Sequence, residues 1–194
     1  LVGSEMCIRD SFKTHRGVDY KAILRAGIAL IKNRGEITQG GSTITQQVIK
    51  NNLLSQEQSF VRKLLEILIA PELEKEYSKQ ELMEFYCNSN YYGNGCYGVG
   101  SASRFYFGKD VSELTLAESA MMAGISNSPN NYNPVADFEK ATKKKNQILN
   151  QMLEQEMITE EECKAAKEQE IVVTQTSSSL VSACLLYTSP SPRD

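Results

Sequence analysis

Apolar residues recur at helical spacing through most of the interior of this 194-residue chain, and that points to a mainly α fold. The stretch YKAILRAGIALIK, residues 20–32, sets the pattern with Ile23, Leu24, Gly27, Ile28, Leu30 and Ile31. Asn33, Arg34 and Gly35 read as its stop, and a loop is expected over 36–41. Ser42 or Thr43 can cap a helix running to about residue 54, and Thr43-x-x-Gln46 has the spacing of a capping box. Helical spacing resumes over 60–77, where Pro71 is expected to kink or split the helix. Ser78 can cap KQELMEFYCN, and a Gly/Tyr/Asn-rich loop, NYYGNGCYGVG, follows. Further helices are expected over 101–107, 114–125, 138–154 and 159–168, with SNSPNNYNP as a loop. Residues 172–179 read as a strand or linker, and no internal repeat is present.

Several classes fall away. A net charge of −3 gives no general reason to expect a nucleic-acid partner. No apolar run is long enough to span a bilayer; the best, 64–70, is interrupted by Glu66 and suits a partly buried helix. The first residues do not read as a signal peptide, because a short apolar stretch meets Arg9 and Asp10. The two ends are anomalous. Back-translated, 1–11 and 184–194 give DNA strings that are reverse complements apart from the outermost bases, in the manner of a transposase-type sequencing adapter. Both are therefore expected to be adapter-derived scars, with a functional domain over 12–170 and a linker or following segment over 171–183. Setting the ends aside removes Cys7 and Cys184. Cys87, Cys96 and Cys163 remain, with no CxxC pair and no nearby His, so free and mostly buried thiols are expected rather than a metal or disulfide framework.

Three segments can carry chemistry. In QGGSTITQQVIK two glycines allow a tight backbone approach, and the helix start that follows offers unpaired N–H groups and a positive dipole end to a phosphate. Thr43, Gln47 and Lys50, at i, i+4 and i+7, share one face. The bland alternative is an ordinary capped amphipathic helix. In FVRKLLEILIAPELEKEY, Arg62 and Glu66 are i, i+4 neighbours and Lys63 is three before Glu66. That pattern is either a surface ion pair of little worth or a carboxylate held ionised by cations that also face an anionic substrate. FKTHRGVD holds the only histidine, His15, which suits a structural hydrogen-bonding role; no serine or cysteine motif supports a nucleophilic triad.

Taken in order, F-x-x-H-x-G-x-D, G-G-S-T-I-T-Q-Q-x-x-K, R-K-x-x-E, Y-x-N-x-x-Y-Y-G-x-G-x-Y-G with Y-F-G-K, and L-x-L-A-E-x-A-x-x-A-G-x-x-x-x-P-x-x-Y-x-P resemble the peptidoglycan glycosyltransferase family. This is the glycosyltransferase family 51 domain of class A penicillin-binding proteins and of monofunctional transglycosylases. The resemblance reaches to about residue 159. It implies a lysozyme-like, bilobal, mainly α-helical domain that polymerises lipid II into glycan strands, inverting the anomeric carbon and releasing undecaprenyl pyrophosphate. It implies that Glu66 is the second catalytic carboxylate, near the departing pyrophosphate. Lys50, Arg62 and Lys63 would be the cations of that site, Thr43 and Gln47 polar substrate contacts, and Phe12 and His15 shapers of the first motif. No cofactor is required, and a divalent cation near Glu66 is left open. The implied partners are lipid II, the growing glycan strand and a membrane surface, on the extracytoplasmic face of a bacterial membrane. A C-terminal transpeptidase domain in the parent protein is left open.

The first motif departs from the family. Its members place Glu-Asp four and three residues before the Phe, and that glutamate is the general base on the acceptor hydroxyl. Here Ile8 and Arg9 stand there, so the literal chain is expected to be inactive or weak; Asp10 is only two residues before Phe12 and is not an adequate substitute. Cys87 replaces a usual Leu and Gln58 a frequent Arg. Two other readings compete: a lysozyme-like glycan-cleaving enzyme, which would have no pyrophosphate to neutralise, and a domain that only binds lipid II or glycan. Residues 22–31 and 64–70 are read as core helix or, alternatively, lipid contact, with part of 22–31 expected at the membrane. Lys143, Lys144 and Lys145 are expected on a solvated face.

Overall fold

The computed structural model describes residue 12 and residues 15–32, 41–54 and 60–175. The expected stop at 33–35, most of the loop over 36–41, the two end segments and most of 171–183 lie outside the described residues. Among the described residues the regular structure is helical: eight α-helices, one short 3-10 turn and no strand. The mainly α reading therefore holds. The chain divides into two compact units, Leu1–Asn90 and Tyr91–Asp194.

The first unit contains α1 (Tyr20–Lys32), α2 (Ile44–Asn52), α3 (Phe60–Glu76) and α4 (Lys79–Ser89). Helix α2 packs against both α3 and α4. Its start is fixed as the sequence implies: Thr43 accepts from the Gln46 N–H, and the Gln46 side chain accepts from the Thr43 N–H. Ser78 and Glu81 repeat that box at α4. Among the described residues the apolar core is split, with Phe12, Ile44 and Leu82 in one cluster and Val18, Ile49 and Ala70 in another.

Pro71 does not split its helix as expected; α3 runs through it from Phe60 to Glu76. Packing explains the tolerance. Ala70 is fully buried, and Ile67, Ile69 and Leu73 pack into the same cluster, holding the turns on both sides against one core. That burial outweighs a penalty of roughly 3 kcal/mol for proline within a helix. Gly17, at φ +85°, lies directly on this turn, and a Cβ there would sit 2.5 Å from the Ala70 carbonyl carbon and oxygen and 2.7 Å from the Pro71 nitrogen.

The second unit contains α5 (Val99–Phe107), the 3-10 turn Val111–Glu113, α6 (Leu116–Asn127), α7 (Phe138–Glu154) and α8 (Glu160–Glu168). Helix α6 packs on α7, and α8 closes against both. Thr115 and Thr159 cap α6 and α8 with boxes completed by Glu118 and Glu162. Sixteen buried residues form one continuous core, including Tyr106, Met121, Ile125, Leu149 and Cys163. The Tyr106 hydroxyl donates to the Tyr92 carbonyl at 2.7 Å, and burial pushes its pKa up to about 12. Residues 172–175, the described part of the expected strand or linker, are irregular.

The three lysines are corrected. Lys143 is exposed, but Lys144 and Lys145 are buried. Lys145 Nζ donates to the carbonyls of Ala166 at 3.2 Å and Lys167 at 3.3 Å, in the last turn of α8. A cation there meets the negative end of the helix and satisfies carbonyls that have no partner within it. Lys144 Nζ lies 5.1 Å from the Tyr132 ring centroid, a cation–π contact. The run of three charges conceals a helix face that packs through its aliphatic stems.

Candidate active site

In the first unit the second and third motifs converge. Helix α3 breaks the ordinary amphipathic pattern in its first half: Leu64 and Leu68 are 58% and 61% exposed, while Glu66 is 3% exposed. A carboxylate is buried only when it is paired and hydrogen-bonded. Lys63 Nζ donates to Glu66 Oε2 at 2.6 Å, and Arg62 Nε lies 3.4 Å from Glu66 Oε1. The carboxylate of this group is thus buried, while Lys63 stays 41% exposed. Lys63 Nζ also donates to Ser42 Oγ at 2.6 Å, which ties the GGST loop to α3. Gly41 lets that loop lie against α1, since a Cβ there would be 3.2 Å from the Ala22 carbonyl oxygen and the Ile23 Cα.

Thr43 is almost fully buried, and its hydroxyl donates to the Gly17 carbonyl at 2.6 Å while accepting the cap bond. Its hydroxyl is thus committed to joining the first motif to α2. Gln47 and Lys50 are half-buried along α2. The face shared by Thr43, Gln47 and Lys50 therefore runs from a closed end to a more open one. Phe12 is buried, and its ring meets that of His15 edge to face at 6.0 Å.

Sequence reasoning missed a second buried carboxylate, Glu74. It accepts from Thr45 Oγ1 at 2.6 Å and from Lys79 Nζ at 2.7 Å, and His15 Nδ1 lies 3.7 Å away. The available signal was position: Glu74 is about two turns beyond Glu66 along α3. The structural role expected for His15 is also modified. Neither ring nitrogen has a hydrogen-bond partner among the described residues. Burial and the Lys79 ammonium lower its pKa, with Glu74 and Asp19 opposing, so the ring favours its neutral form.

Both carboxylate oxygens of Glu66 face cations, Lys63 at 2.6 Å and Arg62 at 3.4 Å. What the arrangement can do is hold positive charge in a fixed place, with the acid setting the orientation of Lys63 and Arg62.

Fold and site define a helical domain with an ion-paired carboxylate joined to a capped, cation-bearing helix. The family model described as Transglycosylase matches residues 9–153, and the chain belongs to that family. The match covers most of the 12–170 range and begins within the segment 1–11. The chain is 44% identical over 162 residues to penicillin-binding protein 1A of Pseudomonas aeruginosa, spanning 84% of this chain and 20% of that protein. It is 41% identical over 160 residues to penicillin-binding protein 4 of Bacillus subtilis, spanning 82% and 26%. The chain thus spans between a fifth and about a quarter of the length of these relatives. A crystal structure of penicillin-binding protein 1A from Haemophilus influenzae aligns with a TM-score of 0.49 at 27% identity, covering 74% of this chain and 19% of that one.

Proposed function

We propose that this domain belongs to a peptidoglycan glycosyltransferase that polymerises lipid II, with Glu66 and its cations serving the departing pyrophosphate. The observation that carries the reading is a buried carboxylate with Lys63 at 2.6 Å and Arg62 at 3.4 Å, linked through Lys63 to Ser42 of the GGST loop. The reaction needs two kinds of help. A base takes the proton of the acceptor hydroxyl, whose oxygen then bonds to the anomeric carbon of the donor with inversion. The bond from that carbon to the phosphate oxygen breaks, and the diphosphate leaves with the electron pair. Fixed cations stabilise that developing charge without reorganising at the moment of reaction. Lys63 and Arg62 fill that role with Lys50 on α2, Gln47 contributes a polar contact, and Thr43 secures the loop through Gly17. The lysozyme-like bilobal architecture belongs to the same reading.

The base is the missing part. With Ile8 and Arg9 where the family carries Glu-Asp, the literal chain lacks a contribution worth on the order of a hundredfold to ten-thousandfold in rate. We place the domain at the extracytoplasmic membrane surface. The exposed Tyr20, Leu24 and Ile28 fall at i, i+4 and i+8 on α1, beside the exposed basic residues Lys21 and Arg25, as on a helix lying in a lipid interface.

The test is polymerisation of lipid II by the chain and by an Ile8→Glu/Arg9→Asp variant, read as glycan bands on a gel. The variant is expected to gain at least a hundredfold, and Glu66→Gln or Lys63→Met in that background to abolish the gain. A variant that binds lipid II yet forms no polymer would leave the binding-only reading standing. Release of new reducing ends from preformed glycan would favour the cleaving enzyme instead.

A further inference from the structure

The buried Glu74 has no part in the reaction steps above, yet it is the hub of a contact set spanning three helices. Its Oε1 accepts from Thr45 on α2 and from Lys79 at the start of α4, while Glu74 itself belongs to α3. The Lys79 ammonium does two further things. It donates to the His15 backbone carbonyl at 2.9 Å, and it sits 4.6 Å from the centroid of the Phe12 ring. The backbone of His15 and the ring of Phe12 are thereby held by one cation, and that cation is aimed by one carboxylate. Thr45 alone would need only a neutral acceptor. A charged side chain only 6% exposed is justified here by the ammonium it orients.

We infer that Glu74 is a positioning residue for the first motif: it orients Lys79, and Lys79 fixes the backbone of His15 and the ring of Phe12. The inference rests on the glycosyltransferase reading for its consequence alone, because the family's acceptor-side base stands four residues ahead of that Phe. Where the chain enters Phe12 is where such a base would be aimed. A displacement of about 1 Å at that point can cost on the order of a hundredfold in rate.

The chain offers a direct probe, since His15 is its only histidine and gives a single imidazole signal. Among the described residues, the charged groups acting on that ring are Lys79, Glu74 and Asp19. The experiment is an NMR pH titration of the full chain and of Glu74→Gln, Lys79→Gln and Lys79→Arg, together with the Phe12–His15 ring cross-peak. The expected result has opposite signs. Glu74→Gln lowers the His15 midpoint further, Lys79→Gln raises it, and Lys79→Arg stays near the parent. The cross-peak weakens at least severalfold in Glu74→Gln and Lys79→Gln and survives in Lys79→Arg. Simple loosening would instead expose the ring and raise the midpoint in both glutamine variants. An upward or absent shift in Glu74→Gln, or an undiminished cross-peak in both, overturns the inference. Should Glu74→Gln not fold, the Lys79 pair decides on the cross-peak. Neither readout requires turnover, so this inference and the lipid II reading fail independently.

Discussion

The two units solve burial in opposite ways. Among its described residues the second packs one continuous core of sixteen buried residues, and its buried Lys145 is tucked against a helix end. Among its described residues the first has two clusters of three buried residues each, yet it hides Glu66, Glu74 and His15 and leaves Leu64 and Leu68 in the open. A unit that spends its interior on paired charge gives up apolar burial, the main source of stability. The polar interior of the first unit therefore calls for a reason other than stability, and a preorganised charged site is such a reason.

The largest expected effect lies in the second unit. Leu149 is fully buried within the continuous core. Leu149→Ala should cost about 2–5 kcal/mol, read by urea denaturation. A loss under about 1 kcal/mol would mean that this core is looser than described, and the contrast between units would collapse. Next comes Gly17→Ala in the first unit. A residue with a Cβ at φ +85° is strained, and here the Cβ would strike the Ala70 carbonyl. A cost of at least about 1–3 kcal/mol is expected. Loss of amide protection around Ala70 and Pro71 in hydrogen exchange would show that the damage is local to the first motif's seat.

Acid should separate the units by window. His15 has a lowered folded pKa, so the unfolded chain binds the proton more readily. Its contribution is complete above the ordinary value of about 6.5 and is lost as pH falls from there toward the folded value, with a slope of at most about 1.4 kcal/mol per pH unit. Glu118 in the second unit behaves differently. Burial pushes its carboxyl up, but hydrogen bonds from Lys109 and Thr115 outweigh this and hold it below its ordinary 4.5. Its contribution is present above that value and fades only as pH falls below it. Hydrogen exchange across a pH series should therefore show α2 and α3 softening before α6. The reverse order would contradict the assignment of buried His15 to the neutral form.

Much of this was legible in the sequence, and the failures share a cause. Helix starts at Thr43, Ser78 and Thr159 follow from local capping chemistry, and α7 occupies the expected 138–154. The Arg62, Lys63 and Glu66 group was visible because its members are three and four residues apart on one helix. No split appears at Pro71 and the lysine pair is not solvated, because both outcomes depend on what packs against them. Glu74 was missed for the same reason. Its partners Thr45 and His15 lie 29 and 59 positions away, and no local pattern announces contacts at that range. Short-range rules find caps and same-face pairs; they do not find a hub assembled by folding.

The smallest expected effect is the most direct probe of the exposed leucines on α3. A Leu64→Ser/Leu68→Ser variant replaces two leucines by a polar residue, a change that would be severe in the second unit. Here both side chains are more than half exposed, so little apolar area returns to water on unfolding. Stability should move by no more than about 0.5 kcal/mol per site. Membrane affinity, if the exposed leucines join the α1 face in meeting lipid, should fall instead, measured by co-sedimentation with vesicles of anionic phospholipid. A large loss of stability with unchanged vesicle binding would return these leucines to the core and remove the contrast on which the polar interior of the first unit was explained.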